Sequence, residues 1–197
     1  LDAALPASYS GSGNTWSDLS EGENHAQMWG AVSYSADGGG SFSLDGGSFD
    51  IATWDGFTEA KEVTLEVWAK VKSHSQIFQG NSAIMSNWSG GAGKFNWYWS
   101  KGNGPGGLHN NGIKGPSYSQ GGLYSFHEWT YFALRFTEGV GWEFFVNDAL
   151  VFTHAVGGHL QGTPAGNIGL GQRDDHGGGE HSDASIAVAR IYTRSLS

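Results

Sequence analysis

The sequence contains no cysteine and few charged residues. The absence of cysteine among 197 residues excludes a disulfide scaffold, a thiolate metal site and a cysteine nucleophile. Only 10 residues are Lys or Arg against 19 Asp or Glu, which gives a net charge of -9. Proteins that bind nucleic acid take most of their affinity from clustered cations. The sequence therefore predicts no nucleic-acid partner.

Long hydrophobic runs and helical periodicity are also absent. No stretch approaches the roughly 18 uninterrupted apolar residues that a membrane helix needs, so no membrane insertion is expected. Gly, Asn, Ser and Asp interrupt every window long enough for an amphipathic helix. No proline-rich or charged linker divides the chain. A single domain over residues 1–197 is predicted, because a chain of this length can bury a sizeable core in one fold.

The pattern that does recur is alternation. From Val63 to Val71, apolar residues occupy every second position, which is typical of a half-buried β-strand. The intervening side chains point to the opposite face of that strand, and they are Thr64, Glu66, Trp68, Lys70 and Lys72.

Similar short segments recur along the chain, separated by turns rich in Gly, Asp and Asn. Many short strands without intervening helices predict an all-β fold, an antiparallel jelly-roll sandwich of two sheets. The Gly-rich stretch at 101–122 is too long for a hairpin turn, so it is the first place to expect a ligand. The further predicted strands are 31–34, 41–44, 48–51, 76–85, 94–100, 130–137, 142–147, 150–153, 168–171 and 185–193.

Five segments, in order along the chain, resemble the laminin-G-like branch of the concanavalin A-like lectin/glucanase superfamily. The resemblance implies two packed antiparallel sheets, with ligands held by loops at the rim or on the concave face. The last strand is expected to pair beside an early one, which brings the termini close. The five segments are 9–20 (YSGSGNTWSDLS), 44–46 (LDG), 64–68 (TLEVW), 129–133 (WTYFA) and 187–196 (AVARIYTRSL).

This superfamily contains both lectins and hydrolases, so the fold alone does not decide the function. Its retaining glucanases carry two carboxylates on one strand, about 5 Å apart. The nearest pattern here is Glu59, Glu62 and Glu66. Glu62 and Glu66 share a face but lie about 13 Å apart along a strand. The domain is therefore not expected to be an enzyme, and a hydrolase or lyase is the third hypothesis.

Candidate metal ligands concentrate in residues 171–183, where Asp174 and Asp175 lie among glycines and histidines. Carboxylate and backbone oxygens on a flexible loop suit Ca²⁺, whereas histidines would suit Zn²⁺. The segment also resembles the calcium loop of the pentraxins, and this implies that Asp175 is a ligand.

Arg173 stands where the pentraxins have a glutamate, so a complete two-calcium site is not expected. The prediction is one Ca²⁺ at Asp174 or Asp175, with Asp45 or Asp148 contributed from elsewhere. The alternative is a solvated loop with turn-forming aspartates.

Aromatic residues supply the candidate sugar contacts. Sugars stack their C–H faces on indole rings, and their hydroxyls need amide or carboxylate partners. The alternative for the 95–99 segment is core packing, since one face of every strand in a sandwich is buried. The predicted ligand-binding residues are Trp88, Asn96, Trp97, Tyr98, Trp99, His109, Asn110 and Tyr118.

The leading hypothesis is a non-catalytic, lectin-like carbohydrate-binding module of an exported or surface protein, with calcium as a candidate cofactor. Its partner would be a glycan or polysaccharide, and its location extracellular or on a virion or cell surface. The alternative is a structural or adhesive module that contacts neighbouring subunits in a phage fibre, a virion surface or an extracellular filament.

Overall fold

The computed structural model describes residues 1–51, 60–73, 82–87, 96–100, 104–106, 109–110, 113–114, 122–155, 167–172 and 181–196. These residues form an all-β fold with one short 3₁₀ turn at Asp37–Gly39. None of them forms a helix with the length and apolar character needed to cross a bilayer.

Sixteen strands are present in the described residues, and most belong to two seven-stranded antiparallel sheets. The first sheet has the order β14-β13-β12-β6-β16-β4-β3, and the second has the order β1-β2-β5-β15-β7-β8-β9. β10 and β11 form a separate pair. In chain order the strands are β1 Thr15–Trp16, β2 Ala26–Trp29, β3 Val32–Ser35, β4 Ser41–Asp45, β5 Ser48–Ile51, β6 Glu62–Ser73, β7 Ser82–Ser86, β8 Asn96–Ser100, β9 Gly104–Gly106, β10 His109–Asn110, β11 Ile113–Lys114, β12 Trp129–Thr137, β13 Gly141–Val146, β14 Ala149–His154, β15 Ile168–Leu170 and β16 Asp183–Tyr192.

The long strand β6 is the centre of the first sheet and follows the predicted alternation. Its inward side chains, from Val63 to Val71, are buried, whereas Trp68 on the opposite face is exposed. β12 and β16 flank β6 in antiparallel register. This register fixes the side chains that surround each outward residue of β6.

The core lies between the two sheets and is rich in aromatic rings. Phe42 of the first sheet packs on Phe49 of the second with ring centroids 4.9 Å apart, and Trp16 contacts both phenylalanines. Phe132 of β12 meets Trp99 of β8 at 5.6 Å. Contacts from both sheets confirm the predicted sandwich.

The last strand pairs with an early one, as expected. β16 lies between β6 and β4, and the N-terminal residues join it through an amide of Ala3 that donates to the Ala187 carbonyl at 2.8 Å.

Several strands of the structure were not predicted from the sequence. β1 and β2 were not predicted, and three strands, β9 to β11, lie inside the 101–122 stretch that was expected to be a loop. Strands of two to four residues are too short to show a clear alternation, so the register of their neighbours defines them.

Gly40 occupies a backbone conformation that disfavours any other residue. Its φ is 102° and its ψ is 132°, and a Cβ there would lie 2.4 Å from the Ala3 carbonyl oxygen. This close approach joins the N-terminal segment to the start of β4.

We expect Gly40→Ala to destabilise the fold by about 1–3 kcal/mol through backbone strain and this clash. Thermal unfolding should show a loss of several degrees. Gly38→Ala is the matched control, because Gly38 also has a positive φ of 68° but open space around its Cα. Equal losses for the two variants would contradict the role of the Ala3 contact.

Candidate functional site

Two tryptophans lie together on the outer face of the first sheet. Trp68 projects from β6 and its side chain is 39% exposed. Trp129 begins β12 and is half-buried. In the β6–β12 register, Trp68 is opposite Tyr131 and Trp129 is opposite Lys70. We call Trp68 and Trp129 the indole pair.

The planes of the indole pair are parallel within 1°, and the ring centroids are 6.5 Å apart. Atoms in van der Waals contact lie about 3.5–4 Å apart. The longer centroid distance means that the rings are displaced sideways, so each keeps ring surface outside the pair. The result is a fixed aromatic surface on one side of the sheet.

Lys70 adds a positive charge to this surface. Its Nζ lies over the Trp129 ring at 5.2 Å from the centroid, a cation–π geometry. The residue opposite Lys70 on β16 is Ser185. Among the described residues, no carboxylate forms an ion pair with Lys70.

A polar network holds the next row of side chains. The Tyr131 hydroxyl donates a 2.5 Å hydrogen bond to Glu66 Oε1, and Arg190 Nη1 lies 3.9 Å from Glu66 Oε2. Burial and the neighbouring Glu66 carboxylate raise the pKa of Tyr131 well above its usual range. They also raise the pKa of Tyr192. Tyr131 therefore stays a neutral hydroxyl in a fixed orientation beside Trp68.

A cleft of about 310 Å³ continues from this network along the same face. Tyr131, Arg135 and Phe145 line it, and Leu196 closes one side. The Leu196 amide donates to Thr64 Oγ1 at 3.2 Å, and Arg135 donates to the Leu196 carbonyl. The segment after β16 thus limits the accessible surface to the part near the indole pair.

A larger cleft of about 450 Å³ lies between the sheets near the N-terminal residues and is mostly apolar. Asp18 in its wall accepts hydrogen bonds from the Ser20 amide and hydroxyl at 2.9 and 2.7 Å and from the Asn24 amide at 2.9 Å. Burial would raise the pKa of Asp18, but these hydrogen bonds lower it below its usual range. The carboxylate is committed to holding its own loop.

The predicted sugar-binding residues of β8 are buried in the second sheet. Trp97 and Trp99 are fully buried and belong to the core, which is the packing alternative for this segment. Asn96 and Tyr98 are each 6% exposed. None of the four presents a ring or amide freely to solvent in this arrangement.

The other predicted sugar contacts have no described side chains. The backbones of His109 and Asn110 form β10, opposite β11. Trp88 and Tyr118 lie outside the described residues. A ligand-binding role for these four residues stays a prediction.

Asn96 is the last residue of a row that crosses the outer face of the second sheet, in which each residue is the cross-strand partner of the next. Gln27 and Thr15 at the far end are accessible and are joined by a 3.0 Å hydrogen bond, whereas Ser86 is buried. Trp29, on the same face of β2 as Gln27, is 42% exposed. The row runs Thr15, Gln27, Asp50, Gly169, Ser86, Asn96.

Of the predicted metal ligands, Asp45 and Asp148 lie within the described part of the chain, and Asp174 and Asp175 lie outside it. Asp148 lines the cleft beside Tyr131. Asp45 is opposite Asp183, and the Lys72 ammonium lies 2.9 Å from an oxygen of Asp45 and 3.7 Å from one of Asp183.

The described residues contain no group of three or more potential metal ligands. Lys72 occupies the position that a cation would take beside Asp45, so this arrangement does not favour a metal there. Calcium at Asp174 or Asp175 stays a prediction.

A family model described as the concanavalin A-like lectin/glucanases superfamily (Laminin_G_3) matches residues 44–197. The chain belongs to this family. No curated protein sequence matches this laminin-G-like domain at a significant level.

Solved structures share the fold at low sequence identity. A Trypanosoma rangeli sialidase in complex with sialic acid superposes with a TM-score of 0.68 at 15% identity, over 96% of this chain and 30% of the sialidase. The binding domain of botulinum neurotoxin DC, in complex with SialylT, gives 0.63 at 16% identity, over 95% of this chain and 47% of that one.

Domain 4 of the extracellular arabinanase AbnA from Geobacillus stearothermophilus, in complex with arabinotriose, gives 0.54 at 14% identity. That match covers 87% of this chain and 84% of the arabinanase domain. At these identities the similarity establishes the fold alone. The chain spans less than half of the sialidase and neurotoxin chains.

The indole pair was not among the predicted ligand-binding residues, although the sequence of β6 carries a signal for Trp68. The alternation in β6 places Trp68 on the face that carries Glu66 and Lys70. An indole among charged residues on the polar face of a strand is the observation that marks this surface.

We expect Lys72→Gln to raise the pKa of Asp45 toward its usual range. A hydrogen bond from Lys72 lowers that pKa in the folded protein, so the pair stabilises the fold above the usual pKa, and this contribution is lost as the pH falls. The stability difference from wild type should therefore narrow in acid. Carboxyl carbon NMR titration measures the shift.

Lys61→Gln is the control for this titration, because Lys61 pairs with Glu138 at 3.5 Å instead. An unchanged Asp45 titration in Lys72→Gln would contradict the pairing.

Proposed function

We propose that this laminin-G-like domain binds carbohydrate without catalysing a reaction, and that the indole pair on the outer face of the first sheet is its sugar-contacting surface. The observation that carries the proposal is the parallel, partly exposed arrangement of Trp68 and Trp129 beside the polar groups of Lys70 and Tyr131.

The chemistry of this surface suits a pyranose or furanose ring. The C–H face of a sugar is apolar and packs on an aromatic ring, while its hydroxyls need hydrogen-bond partners at the edge. The Tyr131 hydroxyl donates a hydrogen bond to Glu66, so the lone pairs of its oxygen can accept a hydrogen bond from a sugar hydroxyl. Lys70 supplies donors on the other side.

The side chains of this surface are held in place by contacts with one another, which lowers the entropy cost of binding a sugar. The Glu66 hydrogen bond fixes Tyr131, and the ring contacts fix the indole pair and the Lys70 stem. Side chains that are already ordered lose less conformational entropy when a ligand binds. A rigid aromatic surface is therefore a better sugar platform than isolated flexible tryptophans.

Structural neighbours whose ligands are known support carbohydrate binding as the class of function. The sialidase, neurotoxin and arabinanase structures hold sialic acid, SialylT and arabinotriose respectively. The arabinanase is extracellular. We infer that this domain likewise belongs to an exported or surface protein.

The glutamates along the outer face of the first sheet support a non-catalytic role. Glu66 accepts the Tyr131 hydrogen bond and its side chain is 12% exposed, while Glu62 accepts from the Ser195 amide at 3.0 Å. Glu143 is paired with Arg135 at 2.9 Å. Glycoside hydrolysis by a retaining mechanism needs a nucleophile and an acid about 5 Å apart that both face the sugar. These glutamates hold side chains and backbone instead.

A structural or adhesive module is the second candidate. The edge strand β14 of the first sheet exposes Leu150, which is 51% accessible. An exposed edge strand offers hydrogen-bonding groups to a neighbouring subunit. Concentration-dependent self-association, abolished by Leu150→Lys, would favour this function.

We expect Trp68→Ala and Trp129→Ala each to weaken glycan binding about tenfold or more, because each removes an indole that the sugar would bury. A glycan array identifies the ligand, and isothermal titration calorimetry measures the affinity. Trp29→Ala is the matched control, since its exposure of 42% is close to that of Trp68 but it lies on the other sheet.

Loss of binding in Trp29→Ala with full binding in both other variants would contradict the proposed surface. The same titrations in CaCl₂ and in EGTA test the calcium prediction. Equal affinities in the two buffers would contradict a calcium-assisted site.

A further inference from the structure

We propose that the indole pair and Lys70 together select anionic sugars: the sugar ring stacks on Trp68 and Trp129, and its carboxylate or sulfate group pairs with the Lys70 ammonium. This inference rests on the proposed function, and it names the ligand class of the same surface.

The pairing of four other described cations is the first observation. Lys61, Lys72, Arg135 and Arg190 each lie within ion-pair distance of at least one carboxylate of the protein. Lys70 differs from these four, because its described contact is the Trp129 ring. In a chain of net charge -9, a lysine that faces an aromatic surface and pairs with no described carboxylate is available to an anionic ligand.

Two other described cations lie over rings, Arg135 at 4.9 Å from the Phe145 centroid and Arg194 at 5.9 Å from the Tyr192 centroid. Arg135 is also ion-paired with Glu143. Arg194 does not compete for the same ligand group. Tyr192 is opposite Thr64, whereas Lys70 lies six positions further along β6, about 20 Å away.

The charges around Lys70 are the second observation. Its neighbours across the sheet, Trp129 and Ser185, are neutral. Lys72, two residues along the strand, is occupied by Asp45 and Asp183.

The nearest acidic side chain along β6 is Glu66, about 13 Å away by strand spacing. Arg190 Nη1 lies 3.9 Å from Glu66 Oε2 and offsets the negative charge of Glu66. Asp148 acts on Tyr131 and lines the cleft beyond it, so the surface has a carboxylate at its Tyr131 end, and the positive charge of Lys70 lies on the Trp129 side.

The geometry of Lys70 is the third observation. Its half-buried side chain follows the sheet and places Nζ above a ring face. A cation held this way loses little additional side-chain entropy on pairing, and an ammonium near an apolar surface is less screened than one in open solvent. A sugar stacked beside Trp129 would bring an acidic substituent close to this ammonium.

Neutral sugars would use the indole pair without this ion pair. The expected result is a preference for the acidic form of a given backbone over its neutral counterpart. Because the charge term is electrostatic, this preference should shrink as ionic strength rises, whereas stacking should persist.

The test uses the whole chain and matched polysaccharide pairs: polygalacturonate against fully methyl-esterified pectin for carboxylates, and dextran sulfate against dextran for sulfates. Calorimetry or affinity electrophoresis measures each pair at low and high salt. We expect wild type to prefer at least one acidic form by about tenfold, which is the effect of a single well-placed ion pair. The pair that shows the preference identifies the anionic group.

Lys70→Gln should remove the preference, so that the ratio of acidic to neutral affinity falls to about one, and Lys70→Arg should retain it. Lys61→Gln removes the same charge from a distant exposed position and should have no effect. Equal binding of wild type to both members of each pair, or a preference that survives Lys70→Gln, overturns the inference.

The two proposals fail separately in this design. If Trp68→Ala leaves binding to every polymer unchanged, the indole pair is not the sugar surface and the proposed function fails. If Trp68→Ala abolishes binding but Lys70→Gln leaves the acidic preference intact, only the anionic specificity fails.

Discussion

Burial of one face of β6 against the second sheet is the constraint on which the rest of the structure depends. The inward side chains from Val63 to Val71 are almost inaccessible, and the strand is hydrogen-bonded on both sides along its length. Because side chains alternate, burying this set fixes every other residue on the outside of the sheet. A one-residue slip would place Trp68 and Lys70 in the core and expose the valines, so the register of the core also determines the register of the proposed site.

The same constraint explains why the many tryptophans of this chain have different roles. Trp16, Trp97, Trp99 and Trp142 are large apolar groups that fill the space between the sheets. Core packing does not explain Trp68. Its indole leaves apolar surface in water, and the residues before and after it on the outer face of β6 are the charged Glu66 and Lys70. Its parallel contact with Trp129 and the Lys70 cation reduce that cost only in part. A surface that the fold does not require is the kind most readily accounted for by a ligand.

Sequence reasoning was successful where one face of a strand was clearly apolar. β6 followed the predicted alternation, and the two-sheet sandwich followed from many strand-like segments. It was less successful for Asn96 to Trp99, where large or polar groups occupy both parities and the structure buries both. At the start of β12, Thr130 is buried and Trp129 faces outward against the preference of either residue, because they continue the alternation of the buried Phe132, Leu134 and Phe136. Pairing partners far away in the sequence decide the burial of Asn96 and the ion pair of Asp45 with Lys72.

The central claim is that sugar contacts the indole pair, and NMR spectroscopy tests it most directly. Each tryptophan indole N–H gives one cross-peak in a ¹H–¹⁵N spectrum, so a titration with the bound glycan reports on every tryptophan at once. The account predicts that the indole signals of Trp68 and Trp129 shift progressively, while those of Trp29 and the buried Trp97 and Trp99 do not. Shifts confined to tryptophans other than Trp68 and Trp129 would contradict it.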